Sequence, residues 1–123
     1  MPQLKPVRFG PIALTNTTTT NLLNPGTLTG GVNMPSGANL FFLIRKVRIV
    51  NKTAGAVTCS FWLGATGANA AGTEVIGQGL SVPANSYVDV FCQLRLDVAD
   101  FLVGGASANT SLSFQAEGEI GVA

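Results

Sequence analysis

Histidine is absent from the 123 residues, and charge is scarce: Lys and Arg number seven, Asp and Glu six. The first absence removes Ser-His-Asp and Cys-His nucleophile pairs, imidazole acid–base work near neutral pH, and any zinc or non-haem iron site that needs an imidazole. The second leaves 11% charged residues, against about 25% in an ordinary soluble domain. Much of the surface must then be Thr, Ser, Asn, Gly and Ala, which suits a particle that packs against copies of itself. Long hydrophobic runs are missing as well. The longest, Leu40-Phe41-Phe42-Leu43-Ile44, is far short of the roughly 20 residues of a membrane-spanning helix, so a soluble chain with no membrane partner is expected.

Cysteine is too sparse for a disulfide scaffold. Cys59 and Cys92 lie 33 positions apart, each among apolar strand positions and without a Cys-x-x-Cys spacing, so two reduced, buried thiols are expected. The start, Met1-Pro2-Gln3-Leu4-Lys5-Pro6, holds no apolar core of signal-peptide length, and export by that route is not expected. The glycosylation-type triplets at Asn16, Asn51 and Asn109 then read as accidents of an Asn/Thr-rich composition. What is abundant is apolar surface: 46% of residues and a mean hydropathy of +0.39, enough for one domain that buries roughly two-thirds of its unfolded surface.

Residues 1–39 differ from the rest. Five prolines, the run Thr17-Thr18-Thr19-Thr20, and turn signals at Asn24-Pro25-Gly26 and Gly30-Gly31 exclude long helices but permit short edge strands. This segment is expected to be an extended N-terminal arm, lying across a neighbouring subunit or supplying the first strands of its own domain. From residue 40 the period is two. Val47 and Ile49 alternate with Lys46 and Arg48; Val57, Cys59, Phe61 and Leu63 alternate with Thr58, Ser60 and Trp62. The pair is expected to form a hairpin turned at residues 51–55. Val88, Val90, Cys92, Leu94 and Leu96 share one face of a third strand. In a fourth, Leu112, Phe114, Ala116, Gly118 and Ile120 face inward, with Ser111, Ser113, Gln115, Glu117 and Glu119 facing water. Short strands, Gly/Asn-rich turns and no long 3.6-residue period predict an all-β chain, an antiparallel β-sandwich of jelly-roll type occupying residues 40–123 behind the arm.

Charge is lopsided along the chain. Lys5, Arg8, Arg45, Lys46, Arg48 and Lys52 are basic with no acid before residue 53; beyond it Glu74, Asp89, Asp97, Asp100, Glu117 and Glu119 face Arg95 alone. Either a basic patch on one copy meets an acidic patch on a neighbour, or the strands intermix and neutralise locally. The sequence pI of 7.8 and the lack of stacking aromatics beside the basic stripe argue against a nucleic-acid partner. Glu117 and Glu119, about 7 Å apart on one strand face, overlap the carboxylate spacing of inverting glycosidases, but an alternating strand offers no desolvated pocket. Asp97 and Asp100 fall short of a calcium loop, and neither glycine-rich stretch matches a phosphate-binding loop. No catalytic residue, cofactor or metal site is expected. Trp62, Tyr87 and Phe91 occupy outward positions, where aromatics anchor interfaces or sugar surfaces unless the arm or a neighbour covers them.

Phe42 to Thr53, then Val57 to Leu63, then Leu80-Ser81-Val82-Pro83-Ala84-Asn85-Ser86, and finally Leu94 to Gly118 resemble a small domain of tailed-bacteriophage virion proteins. In that domain a strand ends in an Asn-x-Thr turn, followed by a second strand, an Ala/Gly-rich loop and a Val-Pro-Ala-Asn strand. The likeness covers roughly residues 40–121. It implies a jelly-roll structural protein, a capsid decoration or cement protein seated as trimers on the major capsid protein of the head, made in the host cytoplasm and carried on the virion surface. By that implication residues 1–39 and loop 64–79 make lattice or intersubunit contacts, with Lys5, Arg8, Arg45 and Arg48 meeting acidic patches. The alternative is a tail, baseplate or fibre component that binds host glycan through Trp62, Tyr87 and Phe91.

Overall fold

The computed structural model describes residues 5–25, 40–64, 67 and 69–122, with the backbone alone at Lys5 and Val122. Eight strands run in the order β1 (Lys5–Ala13), β2 (Asn21–Leu23), β3 (Leu40–Asn51), β4 (Val57–Gly64), β5 (Leu80–Val82), β6 (Tyr87–Leu96), β7 (Phe101–Ala106) and β8 (Leu112–Val122). They form two four-stranded antiparallel sheets, ordered β1-β8-β3-β6 and β2-β7-β4-β5. Among the described residues there is no helix long and apolar enough to cross a membrane.

Period-two patterning decides which faces meet. Phe9, Phe42, Ile44, Val47, Ile49, Phe114 and Ile120 of the first sheet and Leu23, Val57, Cys59, Phe61 and Leu102 of the second form one buried cluster. The ring of Phe61 on β4 lies 5.5 Å from that of Phe114 on β8, joining the sheets. Phe9 and Phe42 meet at 4.7 Å. Each such side chain, fully buried, stabilises the fold by about 1.5–3 kcal/mol before entropy is counted. Cys59 and Cys92 are free thiols on inward positions, and burial pushes the Cys59 thiol up to about 12.

Inside β3 the alternation breaks. Buried positions run 40, 42, 44 and then 47, 49, 51, because Arg45 is an extra residue opposite the single step from Gly118 to Glu117 on β8. The bulge brings the β3 backbone onto β8, and Gly118 is where they touch. A Cβ there would overlap the carbonyl of Leu43 and sit 3.0 Å from the Cα of Ile44. A residue with a side chain at 118 would drive the strands apart.

The expected hairpin between β3 and β4 is not formed. β3 pairs with β6 and β8, while β4 pairs with β5 and β7, so residues 52–56 cross from one sheet to the other. Asn51 sets the crossing. Buried at the end of β3, its amide nitrogen donates to the carbonyls of Gly55 at 2.9 Å and Val82 at 3.0 Å, and its Oδ1 accepts from the Thr53 backbone N–H and hydroxyl. Val82 belongs to the second sheet, so this one side chain ties the turn to both layers. The Asn85 N–H donates to the Thr53 carbonyl, and the Asn51 N–H to that of Ser86. The Asn-x-Thr and Val-Pro-Ala-Asn stretches that carried the family likeness are thus packed against each other.

The described part of the supposed arm, residues 5–25, lies within the two sheets. β1 pairs along β8 and β2 along β7, each at a sheet edge. Between them the threonine run folds over β7: Thr15 and Thr20 accept from the N–H groups of Ala106 and Gly104, and the two hydroxyls lie 3.0 Å apart. A Cβ at Gly105 would sit 2.7 Å from the Thr17 carbonyl oxygen, so the close fit needs glycine. Val7 and Phe9, and Ile12 beyond a register shift, turn apolar side chains to the core along β8, which explains why the segment joins it. Residues 1–4 and 26–39, with whatever neighbour contact was expected of them, lie outside the described residues. Ser111, expected to face water, is buried and donates to the Ala108 carbonyl at 2.9 Å.

Candidate functional site

Antiparallel register places outward side chains in rows across the first sheet. The central row runs Phe91, Lys46, Glu117, Arg8 from β6 to β1. On one side of it lie Arg95, Leu43, Glu119 and Pro6; on the other, Asp89, Arg48 and Gln115, then Tyr87, Val50, Ser113 and Ala13. Four of the residues singled out from sequence, Arg8, Arg48, Tyr87 and Phe91, therefore share one open face, and Arg45 joins them at the bulge. At Lys5 the backbone pairs with Ile120, and its side chain lies outside what is described.

Two arginines are already engaged within the chain. Arg48 holds Asp89 with two parallel bonds, Nε to Oδ1 at 2.7 Å and Nη2 to Oδ2 at 2.9 Å, and its guanidinium lies 4.5 Å from the centre of the Tyr87 ring. That contact holds the Asp89 carboxyl below its ordinary value and raises Arg48. Arg45 meets Glu119 at 2.5 Å. The lopsided charge of the linear sequence is thus dissolved by topology: basic β3 lies between β8, carrying Glu117 and Glu119, and β6, carrying Asp89. Arg45 and Arg48 each have a carboxylate partner within the chain. Arg8 and Lys46 both flank Glu117 across the strands, which leaves this row with one cation more than it has anions.

Apolar exposure is concentrated on the same face. Phe91 is 77% exposed, Tyr87 54% and Val50 41%. Beside the central row, at the bulge, lies a shallow depression of about 520 Å³, lined by Pro6, Arg8, Arg45, Lys46, Glu117 and Glu119 among others. Phe41, over Gly121, is capped by the Arg95 guanidinium 4.1 Å from its ring centre.

Trp62 does not belong to this surface. It holds the expected outward position on β4, but on the second sheet, opposite Val103, and is 7% exposed; Val103 is fully buried. Both lie outside the main core cluster. On that side the threonine segment lies over Gly105, and residues 73–77 run beside β4, bonded to it through Thr73, Val75 and Gly77. The Gly67 N–H donates to Asn21, so this part of loop 64–79 is held by the same subunit; residues 65, 66 and 68 lie outside the described residues.

The carboxylates tested for chemistry have local duties. Glu119 is engaged by Arg45, Glu117 stands on the open sheet, and Asp97 and Asp100 close the turn between β6 and β7, where Arg95 binds Asp97 and the Asp97 N–H donates to Asp100. Among the described residues no group of three or more His, Cys, Asp or Glu side chains is placed to hold a metal ion. No family model matches the chain, and no curated protein matches it either.

Proposed function

We propose that this chain is a structural protein of a tailed-phage virion, a capsid decoration protein of jelly-roll type that binds the assembled head as a trimer and stabilises the shell. The jelly-roll assignment is supported by the strand orders 1-8-3-6 and 2-7-4-5, eight strands whose neighbours alternate between early and late segments of the chain. The observation that carries the function is the open face of the first sheet. A strand face whose charged groups are largely paired, yet which holds Phe91 and Tyr87 in water, is suited to packing against protein.

The mechanism is mass action. A protein that binds only the assembled shell stabilises it by the free energy of that binding, and several weak contacts held together by symmetry act as one strong contact. The glycan-binding alternative drew on three aromatics together, and Trp62 is buried on the other sheet. Cryo-microscopy or immunogold location of the protein on particles tests the proposal. Density over the head lattice, with heads that lose heat resistance when the protein is missing, is the expected result; density on the tail alone overturns it.

A further inference from the structure

We infer that the partner on the open face of the first sheet is a second copy of this chain, docked face to face about a two-fold axis that runs between β3 and β8, parallel to the strands. This rests on reading that face as a contact surface, and not on the particle to which the protein belongs.

The charge columns point to it. β3 carries Arg45, Lys46 and Arg48 on this face, and its neighbour β8 carries Glu117 and Glu119. A two-fold axis between adjacent columns of opposite sign lays each column over the other's counterpart while keeping every row level. Lys46 then faces Glu117 of the second copy, and Glu117 faces its Lys46. In the same row Phe91 on β6 comes to lie over Arg8 on β1, twice. An exposed ring thereby gains a guanidinium partner and a depression beside it. Within the chain the central row has one cation more than its single anion; in the pair Lys46 and Glu117 cross-link the copies, and each Arg8 meets the Phe91 ring of the other copy.

Dimensions agree. Stacked sheets lie about 10 Å apart, room for one layer of Phe and Lys–Glu side chains from both copies. Four strands about 4.8 Å apart and four outward rows about 7 Å apart give a footprint of roughly 540 Å² per copy, about 1,100 Å² combined, the size of a weak, transient contact. Strand twist restricts the best fit to rows near the axis, which is where Lys46 and Glu117 sit. A dissociation constant in the micromolar range is expected for the free protein, with binding weakened by salt.

Native mass spectrometry and analytical ultracentrifugation of the purified chain test this without any particle. Even-numbered assemblies are expected, dimers alone or hexamers if the three-fold contact also forms in solution. Phe91→Ala, at a position 77% exposed and so without effect on the core, should weaken the two-fold contact at least about tenfold. Lys46→Glu and Glu117→Lys chains should each fail to pair alone and should pair with one another when mixed, because one then presents only acids and the other only bases at these two positions. Circular dichroism checks that each variant is folded. A wild type that stays monomeric or forms only odd-numbered assemblies up to about 1 mM overturns the inference, as does a mixed pair that does not associate. A monomer that still docks on heads through Phe91 overturns the self-pairing and leaves the decoration role standing.

Discussion

At Gly118 the missing side chain matters more than any present one nearby. The bulge at Arg45 brings the β3 backbone to where a Cβ would lie, so Gly118→Ala is expected to cost about 1–3 kcal/mol, the usual penalty for overpacking. Urea unfolding checks it: the midpoint should fall without a change in slope. Asn51 is the opposite case, a buried side chain with every hydrogen-bonding group used. Asn51→Ala leaves the Val82 carbonyl and the Thr53 N–H without their partner, and a loss of about 2–3 kcal/mol is expected by the same measurement. Cys59, its thiol pushed up to about 12 by burial, should resist thiol reagents at pH 8 until the chain is unfolded. Because its folded value lies above the unfolded 9.0, its contribution to stability is complete below pH 9.0 and is lost as pH rises toward 12. Comparing alkaline unfolding of the wild type with Cys59→Ala measures this: the wild type should show the steeper decline.

At the scale of elements, β3 concentrates both the core and the open face. Its bidentate Arg48–Asp89 bridge to β6 lowers the carboxyl of Asp89 below 3.8, so the stability it adds is present above that pH and fades as pH falls through the folded value. Relative to Asp89→Asn, the wild type should therefore lose its advantage in acid, measured as unfolding midpoints between pH 6 and 2. How far such elements could be read in advance depended on what encodes them. The inward positions of β4, β6 and β8 follow from alternation alone, since one buried face repeats every second residue. The bulge is written only as two adjacent polar residues, Arg45 and Lys46, between Ile44 and Val47, which alternation reads as noise. The sheet change after Asn51 was not legible, because a short polar turn between two amphipathic strands looks the same whether the second strand returns beside the first or crosses to the other layer. What decides it is one amide reaching Val82, 31 residues away. The open face shared by Arg8, Arg48, Tyr87 and Phe91 was legible as outward parity, and their assembly on one sheet was not, since it depends on which strands lie side by side.

For the molecule as a whole, two outer faces have different fates. One is covered by its own chain around Trp62, Val103 and Gly105, and the other stands open. Trp62, the sole tryptophan, reports on the covered one: its emission should be blue-shifted and shielded from acrylamide in the purified protein, and should stay unchanged when a partner docks on the Phe91 side. A red-shifted, readily quenched tryptophan would show that this side of the second sheet does not close. The pairing of β1 with β8 bears on a different matter, the order of events during synthesis. Nearly a hundred residues separate Ala13 from Leu112, and β8 also forms one full side of β3. Until Leu112–Val122 has left the ribosome, two hydrophobic strands wait with no template between them. Translation must therefore carry β8 clear of the ribosome before this sheet can zip shut, and nascent chains stalled short of that point are the ones for which a chaperone has most to hold.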